Sequence, residues 1–302
     1  MRARAANVKG AGMEGLGIEE LKQGWWRRPL KWLAIAGGVA LFASGVAFAT
    51  LWSVSEERLS RQFPADAPAL RVSGAANVAE GGRLVQVYGC TACHGKELAG
   101  TDFYGIQTPS IRRLAKLYGA DGFAFAVRHG VRPDGTALTW NMPSDFLSVM
   151  ADDQIRDIQA YLASLPEVPD DVSATRMPMK RLGVAVGELL LIPDVWRPEP
   201  VPAKAPKPGD PAFGPYFARV ACAECHGFDL NGFPDGSSPP LSVVARAYDL
   251  TAFKAFLKTG KNLGGQELPM MSGVARWRLS HMTEAEVEAL HAHLTSLPLP
   301  GE

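Results

Sequence analysis

The chain has 302 residues, with 31 basic and 31 acidic side chains and a formal net charge of zero. That length allows two compact domains with connecting segments, and the charge balance argues against nucleic acid as a partner. Glycine (31) and proline (23) are abundant, and there are four cysteines.

The first element in chain order is apolar. No charged residue occurs from Trp32 to Ser55, and the stretch from Trp32 to Trp52 covers 21 residues. As a helix it would span roughly 30 Å, the thickness of bilayer hydrocarbon. Arg27, Arg28 and Lys31 precede it, with Trp25, Trp26 and Trp32 beside them. Basic residues stay cytoplasmic and tryptophans favour the membrane interface. The expected arrangement is therefore a cytoplasmic segment 1–31, a single-pass anchor 32–55 in a bacterial inner membrane, and the remainder in the periplasm. Ala47-Phe48-Ala49 resembles a signal-peptide cleavage site, which leaves a cleaved leader as the alternative.

A helix expected over Val78 to Tyr88 runs into Cys90-Thr91-Ala92-Cys93-His94, and one over Pro211 to Val220 runs into Cys222-Ala223-Glu224-Cys225-His226. These two pentapeptides use all four cysteines. Cys-x-x-Cys-His is the attachment pattern of a c-type haem. Two thiols on one helical turn reach the two vinyl groups of one macrocycle, and the adjacent histidine offers its imidazole to the iron. Two covalent haems are expected, on Cys90 and Cys93 and on Cys222 and Cys225, with His94 and His226 as axial ligands. The alternatives are a redox thiol pair, a zinc site and structural disulfides. A redox pair needs no following histidine, and zinc knuckles would need further Cys or His clusters at short spacing.

Other features repeat at the same interval as the motifs, 132 residues. Gly82 and Gly214 each lie eight residues before the first cysteine of their motif, and Leu165-Pro166 pairs with Leu297-Pro298. Each copy reads as a first helix, the motif, a loop-rich middle with a short helix (Asp121–Arg128 or Thr251–Thr259), and a last helix. The last helices, Asp152 to Ser164 and Thr283 to Ser296, carry apolar residues at the spacing of one buried face. Thr283 with Glu286 reads as a capping box, and Asp152 as a similar cap. Between the copies, residues 167–209 are Pro-rich and end in a polyproline-like run, a semi-rigid spacer expected to lie across both domains and fix their separation.

The pattern resembles the class I cytochrome c domain, repeated in tandem over residues 76–166 and 210–298. The resemblance implies an all-α fold, two such domains behind one transmembrane helix. It implies that the first and last helices cross at a glycine facing an aromatic residue: Gly82 and Tyr161 match, whereas Gly214 faces His293. It implies a methionine as the second axial ligand: Met142, followed by Pro143, in the first copy, and Met271 rather than its neighbour Met270 in the second. His129 and His281 are the candidates for bis-histidine ligation instead. The resemblance also implies a proline carbonyl that orients each ligating histidine, from Pro109 and Pro239, and gives Arg128, Lys258, Trp140 and Arg276 as candidate partners of haem carboxylates. The loops 103–108, 235–238 and 260–265 resemble those of dihaem subunits of periplasmic dehydrogenases. The implied function is single-electron transfer between redox proteins, a dehydrogenase, an oxidase or another cytochrome, with no catalytic residue of its own. The alternative is a dihaem enzyme of the cytochrome c peroxidase or thiosulfate dehydrogenase type, which needs an open iron position.

Overall fold

The computed structural model describes residues 27–103, 106–167, 178–197 and 199–301. Trp25, Trp26, Met177, Pro198 and the middle of the 103–108 loop lie outside the described residues. Among the described residues the chain is all-α apart from one small hairpin. Residues up to Ser53 form one unit, and residues from Val54 to Glu302 form a second, compact one.

Helix α1, Arg27–Ser60, has 34 residues. Pro29–Ser60 is long and apolar enough to cross a membrane, its most apolar 18-residue window having a mean hydropathy of 1.9. It passes unbroken through Ala47-Phe48-Ala49. Its final turns belong to the second unit, where the Arg58 guanidinium donates to the Val184 carbonyl at 2.6 Å and Glu56 pairs with Arg181 at 2.6 Å.

The second unit opens with α2 (Val78–Val87) and α3 (Cys90–His94), then the antiparallel strands β1 (Thr101–Phe103) and β2 (Ile106–Thr108). Helices α4 (Ile111–His129), α5 (Ser144–Leu147) and α6 (Asp152–Ser164) complete the first half. Asn77 caps α2 by accepting from the Glu80 amide, and α2 buries Leu84, Val85 and Val87 against α6. The crossing is tighter than the sequence suggests. A Cβ on Gly82 would stand 2.9 Å from the Tyr161 ring, but one on Gly81 would stand 1.9 Å from the Asp157 carbonyl oxygen. The middle helix is longer than expected: α4 starts at Ser110, which caps it, and bends at Gly119, whose φ of 65° interrupts the helix.

The second half repeats the order with α9 (Phe213–Ala221), α10 (Ala223–His226), α11 (Leu241–Ala247), α12 (Leu250–Thr259), α13 (Met271–Trp277) and α14 (Glu284–Ser296). Thr283 and Glu286 form the capping box of α14. A Cβ on Gly214 would stand 2.2 Å from that of His293, so His293 occupies the place over the glycine that Tyr161 takes in the first half.

Asp152 does not cap α6. The N-cap is Ala151, and the Asp152 carboxylate instead pairs with Arg128 at 2.8 Å and Arg71 at 3.1 Å. The free amides of the first turn of α6 go elsewhere: Asp152 donates to the Pro202 carbonyl at 3.0 Å and Asp153 to that of Ala203 at 3.2 Å. The segment between the halves therefore does more than space them. It forms α7 (Pro178–Val186) and α8 (Ile192–Val195), pairs Thr139 with Leu191, and caps α6. The halves touch directly. The Tyr216 hydroxyl donates to Gln154 at 2.6 Å and accepts from the Ala151 amide at 2.9 Å, and Arg83 binds both carboxylate oxygens of Glu286 at 2.8 Å.

Candidate functional site

Each Cys-x-x-Cys-His pentapeptide lies at a short helical turn, α3 or α10, at the end of a core-packed helix. Beyond that turn the backbone takes nearly the same course in both halves. Gly95 and Gly227 leave the turn with φ of 78° and 76°, and Leu98 and Leu230 are both left-handed, at 56° and 60°. Left-handed leucine costs of order 1–3 kcal/mol and persists only where its surroundings hold it. Here both leucine side chains are buried, and each carbonyl accepts from the next helix, at Arg112 or Leu241. Gly100 and Gly232 then turn so tightly that a Cβ would lie 2.5 Å and 2.1 Å from the carbonyls of Thr108 and Ser238. These turns bring the next segment back under the motif.

The result is one hydrogen bond, made twice. His94 Nδ1 lies 3.0 Å from the Pro109 carbonyl oxygen, and His226 Nδ1 lies 3.0 Å from that of Pro239. A carbonyl only accepts, so Nδ1 carries the proton in both rings and Nε2 keeps a free lone pair. That is the arrangement of a histidine held ready to ligate a metal. Burial lowers the pKa of both imidazoles, keeping them neutral.

The thiols carry the opposite of redox character. Burial pushes Cys90 up to about 11 and Cys222 up to about 12, and raises Cys93 and Cys225 as well. Reactive redox cysteines have depressed values. The four thiols are half-buried, and Cys90, Cys93 and Cys225 face a large cavity, a placement that suits thioether attachment.

That cavity, about 1710 Å³, is lined by Cys90, Cys93, His94, Pro109 and Met142, and extends to Cys225, Met270 and Val274 of the second half. It exceeds the ~300–1,000 Å³ of ordinary small-molecule sites. Of the second motif it reaches Glu224 and Cys225, while Cys222, His226 and Met271 are not among its lining residues.

Residues 215–298 match the family model described as Cytochrome c. This part of the chain is a cytochrome c domain. A cytochrome c domain carries a covalently bound c-type haem, and the donor set around Cys222, Cys225 and His226 fits one. Over 268 aligned residues the chain is 24% identical to the fructose dehydrogenase cytochrome subunit of Gluconobacter japonicus, covering 75% of this chain and 54% of that protein. It is 26% identical to the cytochrome c subunit of the quinone alcohol dehydrogenases of Gluconacetobacter polyoxogenes and Komagataeibacter europaeus, covering 73% of this chain and 56% of each. The chain spans about half the length of the curated relatives it matches.

The methionines differ in setting. Met142 is half-buried, lines the cavity and precedes α5. Met271 opens α13 of the cytochrome c domain and packs against the core, whereas Met270 is 71% exposed at the cavity rim. His129 stacks on Phe125, 4.3 Å between centroids, and is not among the cavity-lining residues; His281 is exposed at the cavity rim.

Of the basic residues and tryptophan picked out as partners for haem carboxylates, Arg128 donates to the Met150 carbonyl at 2.9 Å and pairs with Asp152, so it is used structurally. Arg276 lines the cavity but pairs with Glu267 at 2.9 Å. Lys258 and Trp140 are exposed and outside the cavity lining.

Sequence reasoning missed five cations, Lys96 and Arg113 among those that line the cavity. Arg132 and Lys180 line it as well. Arg278 lies between the two motifs: its Nε donates to the Val87 carbonyl at 3.4 Å and its Nη2 to that of Ala221 at 3.5 Å, and it faces Glu224 at 3.7 Å. Those carbonyls end α2 and α9, where helix dipoles concentrate negative charge. Nothing in the local sequence around Arg278 marks it, because its partners come from two distant helices.

Proposed function

We propose that the chain is a membrane-anchored dihaem c-type cytochrome that carries single electrons at the periplasmic face. In this reading it serves as the electron-transfer subunit of a dehydrogenase or respiratory complex. The observation that carries the proposal is the doubled histidine-to-proline bond, made at matching places behind two Cys-x-x-Cys-His turns. A bound c-type haem supplies a one-electron iron couple. Cys90 and Cys93, and Cys222 and Cys225, would hold the two macrocycles. His94 and His226 would present Nε2 to the irons, with ring orientation fixed by the carbonyls of Pro109 and Pro239. Met142 and Met271 would fill the remaining positions, and a filled position favours electron transfer over peroxide chemistry. Residues 76–166 and 210–298 are accordingly two cytochrome domains, joined by 167–209.

The length and apolar character of α1 support membrane anchoring. The relatives are cytochrome subunits of a fructose and an alcohol dehydrogenase, and this likeness supports a sugar or alcohol dehydrogenase as electron donor and a quinone or another cytochrome as acceptor.

Purification from membranes of the native host, with haem counted as the pyridine haemochrome, tests the reading. Two haems per chain, a long-wavelength sulfur-to-iron band lost stepwise in Met142→Ala and Met271→Ala, and a co-purifying dehydrogenase are expected. One haem per chain, or a high-spin iron with peroxidase turnover, would sink it.

A further inference from the structure

Lys180 stands on α7, in the segment that reads as a linker, yet its side chain is buried, with only 7% of the residue exposed. It lines the cavity that opens on Cys90, Cys93 and His94, and Arg132 lines the same cavity. Arg132 donates through Nη1 to the Thr136 hydroxyl at 3.0 Å and to the Ala137 carbonyl at 2.8 Å. Asp134, held by Thr136, acts on Arg132 from beyond ion-pair distance. Among the described residues no carboxylate pairs with Lys180, and only Arg132 acts on its charge. Burial, with Arg132 adding to it, presses the Lys180 ammonium down to about 8. Carboxylates Glu97, Glu224 and Glu267 also line the cavity, but none pairs with Lys180; a buried ammonium left without an anion is costly unless a ligand brings the missing charge. A ligand's carboxylates suit Lys180 and Arg132, since both cations can donate charge-assisted hydrogen bonds.

We infer that Lys180 and Arg132 hold the carboxylates of the macrocycle attached at Cys90 and Cys93, so that α7 completes the first haem site. This rests on the reading of the first motif as a haem site. Among the described residues, α7 has no counterpart in the second half. The consequence is asymmetric: a positive charge held beside one iron favours its ferrous form and raises that potential alone.

The test uses the haem-loaded, full-length protein with Lys180→Met, Lys180→Arg and Arg132→Gln. Haem is counted by the pyridine haemochrome, and both one-electron steps are followed by spectroelectrochemical titration. All variants should keep two haems. In Lys180→Met, one step should fall by a tenfold change in its reduction equilibrium, 59 mV for one electron, while the other stays. Arg132→Gln should lower that same step, which is also the step that Met142→His displaces. Lys180→Arg should hold it near the unaltered value. Two haems with neither step moved, or both steps moved together, overturns the inference and leaves the dihaem reading intact. A new sulfur-to-iron band in Lys180→Met also overturns it, since Lys180 would then be an iron ligand. Fewer than two haems in the unaltered protein overturns the parent reading instead.

Discussion

Three glycines, Gly81, Gly82 and Gly214, and one histidine govern the helix crossings. At Gly81 an added methyl group would meet the Asp157 carbonyl of the facing backbone, which has no room to give; at Gly82 it would meet the edge of the Tyr161 ring, which can tilt. Gly81→Ala should therefore cost more than Gly82→Ala, about 1–3 kcal/mol by the usual scale of overpacking, read as a shift in the denaturation midpoint by far-UV circular dichroism. In the second half, His293 takes the aromatic place, and burial lowers its pKa. Below its ordinary value of about 6.5 the unfolded chain binds a proton that the folded chain resists. Stability is thus lost as pH falls from about 6.5 toward the lower folded value. His293→Tyr should lessen that loss, leaving the stability at pH 8 nearly unchanged; an equal acid sensitivity in both proteins would refute the assignment. Gly82 and His293 were legible in the sequence because the repeat aligns them with the motif. Gly81 was not, since the pattern marks one glycine per crossing and only the backbone approach reveals the second. Nor were Leu98 and Leu230, because nothing in a leucine announces a left-handed backbone.

Helix α6 shows what periodicity can and cannot reveal about an element. Its bounds match its apolar spacing, and the structure has it at Asp152–Ser164 as the sequence suggests. Its capping is another matter. A first-turn aspartate reads as a cap, yet the buried charge of Arg128 claims that carboxylate, and the amides are satisfied by Pro202, Ala203 and Tyr216 from remote segments. The linker was likewise legible as Pro-rich but not as docked, because extended chain declares no partner. Tyr216→Phe tests this non-local cap. It removes the acceptor of the Ala151 amide, leaving that buried donor unsatisfied at a cost of about 1–3 kcal/mol, while Gln154 keeps the Tyr88 hydroxyl at 2.9 Å. The loss should appear in global unfolding, with amide exchange accelerating at Ala151 even though the substitution lies in the other half. Unaltered exchange there would show that water or another group replaces the hydroxyl.

Across residues 54–302 the halves are joined by polar contacts as well as by the Tyr88 and Phe217 rings, 6.3 Å apart. Arg278 is the most central of these. It is 13% exposed at the side chain, holds the carbonyl ends of α2 and α9, and fills the space over Gly89, where a Cβ would stand 2.6 Å from its Nε. Substitution by glutamine keeps much of the stem but removes the charge that answers two helix dipoles and Glu224. Each lost charge-assisted bond is worth roughly 1.5–3 kcal/mol when both ends are well placed; the distances of 3.4 and 3.5 Å put these toward the weak end. The coupling between the halves, more than the stability of either, should therefore fall. The unaltered protein should unfold in one transition, coincident by haem absorbance and far-UV circular dichroism. Arg278→Gln should lower the midpoint and separate the two signals, because each half keeps its own crossing of first and last helix. A lower midpoint with signals still coincident would place the coupling in the aromatic and Arg83–Glu286 contacts instead, and Glu286→Gln should then produce the separation that Arg278→Gln did not.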